Sequence, residues 1–255
     1  MQGEEAADRS VIRVSGPERV QFLQGLVTND VGRLSDGPVY AAILTPQGKY
    51  LADFILVAEP EAILIDVKAE MAGPLLRRLG LYRLRAKVDI AATDLHVHRG
   101  LGPAPQGAWP DPRHPALGWR AIRAEAGAPP AIDWDAIRVA HAIPESGVEL
   151  VPDDSFILEM GFERLNGVDF RKGCYVGQEV TARMKHKTEL RKGLARVSIG
   201  AHVPVGTPVM AGDRPAGAVL TQAGGEALAY LRLDRAGGEM TAGEARLRLL
   251  ETAGG

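Results

Sequence analysis

The chain has 255 residues, enough to bury a substantial core in one large domain or two. It is 45% hydrophobic and 24% charged with a formal net charge of −2, so it carries no global electrostatic footprint for nucleic acid. One cysteine excludes an intramolecular disulfide, a cysteine-based zinc site and a self-contained four-thiolate cluster, and no apolar run nears the roughly 20 residues that span a bilayer.

The start, MQGEEAADRS, is acidic and polar, unlike a secretory signal or an Arg-rich transit peptide. The expected compartment is the cytoplasm, or the mitochondrial matrix for a eukaryotic chain whose presequence is removed. SVIRV (10–14) alternates as a short strand. SGPERVQFLQGLVTND follows as a helix, with Ser15 as cap, Pro17 in the first turn, Val20, Phe22, Leu23 and Leu26 on its apolar side, and Gly25 as its stop. PVYAAIL and KYLADFILV flank a turn at Pro46 and Gly48 and predict a hairpin. EAILIDV is a further strand, AEMAGPLLRRLGLYRL a helix with Leu75, Leu76 and Leu79 inward, and AKVDIAATD and LHVHRG are strands. Residues 100–130, with PAPQGAWPDPRHP the loosest stretch, read as a long surface connection. DWDAIRVAHAIPE is a helix capped by Asp133, with Ile137, Ala140 and His141 on one side and Pro144 ending it.

Strands alternate with helices and hairpins, so the class is α+β with antiparallel pairing. From about Gly193 short strands follow one another without helices, which suggests a small barrel or sandwich. The expected division is an α+β core over 1–190 and a small β-barrel over 191–255. No repeat, Walker A, GxGxxG or GxSxG occurs. The six histidines show no HxxxH or HExxH spacing, and His96 and His98 share a strand face without a third ligand nearby.

The chemistry concentrates around the lone cysteine, in RKGCYVGQEVTARMK (171–185). Gly173 and Gly177 bracket it, and QEVTARMK reads as a helix with Glu179 in its first turn. From Asp169 to Lys192, seven cations (171, 172, 183, 185, 187, 191, 192) and His186 stand against only Asp169, Glu179 and Glu189. A thiol ahead of a helix and beside cations is the setting that lowers a thiol pKa. Free cysteine also serves as a small buried hydrophobe, and the residues alone leave both readings open.

Lys172-Gly173-Cys174-Tyr175-Val176-Gly177-Gln178-Glu179 resembles the K-G-C-Y-x-G-Q-E signature of YgfZ-type folate-binding proteins. These are relatives of the glycine-cleavage T-protein (aminomethyltransferase) that support iron–sulfur cluster assembly or repair. FLQGLVTNDV, LTPQGKYLADFILV, YRLRAKV and LEMGFERLNGVDF extend the likeness over nearly the whole chain.

The resemblance implies a T-protein-like three-part fold, two interleaved α+β subdomains around a tetrahydrofolate site with a C-terminal barrel. It implies a reactive set of Cys174, Lys172 and Asp53. Its cofactor set is Glu159 on the pterin edge, Trp134, Asn166, Tyr175, Gln178, and Arg191 for the glutamate tail, with Arg83, Arg85 and Lys192 as further candidates for that tail. A lone thiolate can share a transient cluster with a partner or form a mixed disulfide, but cannot hold a cluster by itself. Ala52 stands where the T-protein has one acid of a pair, and Asp53 retains the other, which argues against aminomethyl transfer.

The expected function is therefore a folate-binding accessory role with iron–sulfur assembly or client proteins as partners, from a monomer and not a classical enzyme. The alternatives are a tetrahydrofolate-dependent one-carbon transferase and a tRNA-modification-related RNA-binding protein. The basic island favours RNA, and its lack of interleaved aromatics opposes it.

Overall fold

The computed structural model describes residues 3–186 and 190–254; Lys187 and Glu189 of the basic island lie outside them. The chain forms two compact units, Met1–Ile132 with Leu165–Gln178 and Asp133–Arg164 with Glu179–Gly255.

The first unit contains β1 (Glu4–Glu5), β2 (Arg9–Ser15), α1 (Arg19–Gln24), β3 (Val39–Leu44), β4 (Tyr50–Ala58), β5 (Ala62–Lys68), α2 (Ala69–Arg83), β6 (Asp89–Ala92), β7 (His96–Gly100), β8 (Trp109–Pro110) and β9 (Trp119–Arg123). Five strands pair antiparallel in the order β3-β4-β5-β2-β6, and four more in the order β1-β7-β9-β8. Alternation divides the five-stranded sheet into two faces. Ile12, Val14, Phe54, Leu56, Ile63 and Ile65 belong to a core that also takes in Met71, Leu75 and Leu79 of α2. From the opposite face, Val11 and Leu64 pack with Val97 of β7. The hairpin turn forms as expected: Gly48 has φ +75° and its N–H donates to the Thr45 carbonyl at 2.9 Å.

On that second face apolar packing gives way to charge. Asp66 of β5 is fully buried. Its carboxylate accepts from Arg9 Nε at 2.6 Å and from Arg120 Nε and Nη2 at 3.0 and 2.6 Å. Arg120 Nη1 also reaches Asp111 at 3.5 Å, and Asp111 takes a two-pronged contact from Arg113 at 3.0 and 2.8 Å. Burial pushes both carboxyls up, but the neighbouring guanidiniums outweigh it and hold each below the usual carboxylate range.

The second unit contains α3 (Trp134–Ala140), most of α4 (Gln178–His186), and β10 (Lys192–Ile199), β11 (Pro208–Ala211), β12 (Arg214–Ala223), β13 (Glu226–Arg232), β14 (Met240–Ala242) and β15 (Ala245–Thr252). These six strands close into an antiparallel barrel in the order β10-β13-β12-β11-β14-β15. The barrel begins with β10 at Lys192. Its compact unit also takes in 133–164, because Arg138 of α3 donates to Glu149 at 3.0 Å and to Thr221 of β12 at 3.2 Å. Glu149 in turn accepts from the Thr221 hydroxyl.

Three local expectations are corrected. Residues 100–130 are not a bare connection, since they supply β8 and β9 and the buried Arg120. In α3 the buried residues are Arg138 and Val139, while Ala140 and His141 are exposed, because an ion-pair network rather than an apolar stripe seats this helix. In α1, Ser15 belongs to β2 and no side chain caps the helix, whose exposed Val20 leaves Leu23 as its buried residue.

Replacing Arg120 with Met leaves Asp66 with one cation and Asp111 with one. The expected loss is about 3–5 kcal/mol, read from urea unfolding at neutral pH. Because both folded-state carboxyl pKa values lie below the unfolded ones, this stabilisation is complete above about pH 4 and lost as pH falls through the folded values. The gap between wild type and Arg120→Met therefore narrows in acid.

Candidate functional site

The segment 166–178 crosses the first unit on a bracket made by Val27-Thr28-Asn29. The Thr28 hydroxyl donates to the Gly167 carbonyl at 2.7 Å, and the Asp169 N–H donates to the Thr28 carbonyl at 3.1 Å. Asn29 Nδ2 donates to the carbonyls of Tyr40 at 2.8 Å and Asn166 at 2.6 Å. Lys172 completes the bracket. Its ammonium is buried and donates to the carbonyls of Gln24 at 2.7 Å and Val27 at 2.5 Å, and it lies 5.1 Å from the centre of the Tyr175 ring. Burial pushes its pKa down to about 8, with Asp30 and Asp169 opposing.

The turn beyond is equally fixed. Tyr175 is buried, its N–H donates to Gln178 Oε1 at 3.3 Å, and the Gln178 N–H donates back to the Tyr175 carbonyl at 3.3 Å. Gly177 has φ +85°, and a Cβ there would meet the Thr45 carbonyl oxygen at 2.6 Å. Gly173 has open space around it, so of the two bracketing glycines only Gly177 is demanded by the fold. Between the buried Lys172 and Tyr175, Cys174 is exposed. The arrangement holds the backbone of the thiol rigid and turns its side chain to solvent. Lys172 directs its donors to backbone carbonyls, which gives it a positioning role.

The remaining expected residues fall in three places. Asp53 of β4 is buried and accepts from the hydroxyls of Tyr40 at 3.0 Å and Tyr50 at 2.7 Å. Burial and the Asp53 charge push the Tyr40 hydroxyl pKa well up, so it stays a donor. Asn166, at φ +57°, donates to the Pro112 carbonyl at 3.1 Å and lines a cleft of about 220 Å³ with Asn29, Arg33 and Tyr40. In the second unit, Glu159 and Arg191 line a cavity of about 720 Å³, with Leu158, Leu190, Leu194 and Leu233 as apolar wall and Arg164 as a further cation. Glu159 Oε2 accepts from the Tyr230 hydroxyl at 2.6 Å. Trp134 opens α3, half-buried, and does not line that cavity. His96 and His98 bond to Glu5 and to the Glu125 carbonyl, and no group of three or more metal-ligating side chains exists among the described residues.

Residues 191–252 match the family model described as the CAF17 C-terminal beta-barrel domain. The chain is 32% identical to the iron–sulfur cluster assembly factor IBA57, mitochondrial, of Mus musculus, over 88% of this chain and 72% of that one. With the Homo sapiens protein of the same name the identity is 31%, over 85% and 70%.

The chain belongs to the IBA57 family.

The Mycosarcoma maydis homologue is 32% identical over 74% of this chain, which spans only 55% of that longer relative. All three relatives are named mitochondrial, the compartment expected for a eukaryotic chain. Among described residues no helix is long and apolar enough to cross a membrane. A crystal structure of the glycine cleavage system aminomethyltransferase T from Bartonella henselae superposes with a TM-score of 0.74 at 13% identity, covering 98% of this chain and 84% of that one. The T-protein-like fold with its closed barrel is thus as the resemblance implied. Within this IBA57-family fold, Thr28 and Asn29 are the supporting residues that sequence reasoning left without a role. Their signal was present, as two polar residues directly after the apolar FLQGLV.

Lys172→Met leaves two buried carbonyls without a donor, and an expected loss of about 1–3 kcal/mol is read at neutral pH by urea unfolding. The group also shapes the pH dependence. Folding lowers its pKa from 10.5 to about 8, so between these values the unfolded chain binds the extra proton and stability from this group rises with pH. Relative to Lys172→Met, wild type gains on the order of 3 kcal/mol across that window. Gly177→Ala destabilises strongly in the same assay and Gly173→Ala stays within about 0.5 kcal/mol of wild type.

Proposed function

We propose that this chain is an accessory factor in iron–sulfur cluster assembly that offers Cys174 to a cluster-bearing partner and binds tetrahydrofolate in its second unit. The observation that carries the reading is the exposed Cys174 on a turn fixed by Lys172, Tyr175 and Gly177. A thiolate formed by proton loss to water can take one coordination position on one iron, and the other ligands must come from the partner because this chain has no second cysteine. The names of the mouse and human relatives support the same role.

The folate part rests on the donor set of the larger cavity. Its volume lies in the range of roughly 300–1,000 Å³ that takes small-molecule ligands. Glu159 supplies a carboxylate that can accept from an aminopyrimidine edge, Arg191 and Arg164 suit an anionic tail, and the leucine wall suits the aromatic middle. Bound tetrahydrofolate would bring a reduced pterin that carries one-carbon units. The residues of this chain hold and orient it. Ala52, with the buried and doubly bonded Asp53, weighs against aminomethyl transfer.

Two measurements test the two halves separately. Tetrahydrofolate is titrated calorimetrically without oxygen into wild type, Cys174→Ala and Glu159→Ala. Equal binding by the first two and at least tenfold weaker binding by the third is expected; no heat with wild type removes the folate half. A scaffold protein loaded with a cluster is then mixed with wild type or Cys174→Ser. A co-eluting complex that keeps its cluster absorbance with wild type alone is expected, and equal behaviour of the two chains removes the thiol half.

A further inference from the structure

The C-terminal end of α2 has no role in the thiol turn or the cavity. Its Leu81 and Leu84 are 77% and 88% exposed, the highest values among the exposed large hydrophobic residues described. After them the chain turns sharply: the Ala86 N–H donates to the Arg83 carbonyl at 2.7 Å. Leu84 occupies the first central position of that turn with φ +42° and ψ −107°. Those are type II′ dihedrals, and glycine is the residue that adopts them without strain. The protein thus holds a branched side chain in a glycine conformation, where it gains almost no packing in return.

Four exposed cations, Arg77, Arg83, Arg85 and Lys87, lie within about one helical turn of the two leucines in sequence. Among the described residues none of the four has an ion pair, whereas Arg9, Arg113, Arg120 and Arg138 are all paired. A cation in the last turn complements the helix dipole, which accounts for Arg83 but for neither leucine.

We propose that this tip is a docking surface for a partner protein, which presents an apolar contact rimmed by aspartate and glutamate. The leucines supply the desolvated centre and the arginines the charged rim, the division of labour of a specific protein interface. Two leucines bury too little hydrocarbon to hold a bilayer, and Tyr82 is half-buried, so the patch lacks the exposed aromatics that stack on single-stranded RNA. The surface is independent of the folate and thiol readings.

The test uses the full chain in cells, with the photo-reactive residue p-benzoylphenylalanine placed at position 81. Light is expected to yield one discrete protein adduct whose crosslinked peptide is acidic. The adduct should fall at least tenfold in the Arg83→Glu/Arg85→Glu variant. Leu84→Gly should raise the urea midpoint while weakening the adduct at least tenfold, which separates docking from folding. Adducts spread over abundant proteins, a crosslinked peptide without acidic residues, or adducts to lipid or RNA instead would each overturn the proposal. So would an adduct unchanged by charge reversal.

Discussion

Asp66 sits between two sheets with no contact to water, and the first unit is built around keeping it charged. A lone carboxylate there would protonate or drive the sheets apart. The sequence answers with a row that alternates in sign: Arg9, Asp66, Arg120, Asp111, Arg113. The row continues as a guanidinium 5.7 Å from the Tyr40 ring, and Tyr40 donates to Asp53. Counted over these residues the charges cancel, three arginines against three aspartates. Such a row contributes less net stability than apolar packing of the same volume, but breaking it at one member leaves the next charge buried alone. It therefore fixes the register of the two sheets more firmly than the apolar contacts beside it. Through Tyr40 the same register governs the cleft that Asn166 lines.

The logic of satisfied burial also explains the motif. Read as a string, Lys172 and Cys174 invite an electrostatic story in which the ammonium stabilises a thiolate. In the fold, the ammonium meets two carbonyls at the end of α1 and a tyrosine face. A lysine has three donors, and carbonyls left over at a helix end need them. Lys172 thus anchors the loop, and the thiol owes its accessibility to that anchor. The glycines divide similarly: Gly177 is there because a carbonyl lies against it, while Gly173 has no such constraint.

Local signals carried much of the fold. Alternation and the Pro-Gly turn located the β3–β4 hairpin, the apolar spacing located α2, and the run of short strands located the barrel. The failures share one physical cause. β9 carries Arg120 inward and is flanked by prolines and glycines, so no pattern rule that sends charges outward can find it. α3 is seated by Arg138, again a charge on the buried side. Buried charges become legible only when the partner is known, and the carboxylates that seat Arg120 and Arg138, Asp66 and Glu149, are 54 and 11 residues away in sequence. A specific motif points to the Cys174 turn and the LEMG segment to Glu159, whereas the only mark of the Thr28 and Asn29 bracket is a pair of polar residues after FLQGLV, because the carbonyls they donate to leave no trace in the sequence.

The lone cysteine sets the final constraint on function. A cluster needs several ligands, and a chain with one thiol can take part only where another chain supplies the rest. Any such role must be transient or shared, so the protein has to recognise its partner by something besides the sulfur. A rigid turn narrows the positions from which the thiol can be approached, yet one exposed side chain buries too little surface to select a partner by itself. Selection must then come from surface elsewhere on the fold, and the surface proposed for it is the end of α2, with its strained, exposed Leu84 and its arginines that have no ion pair among the described residues.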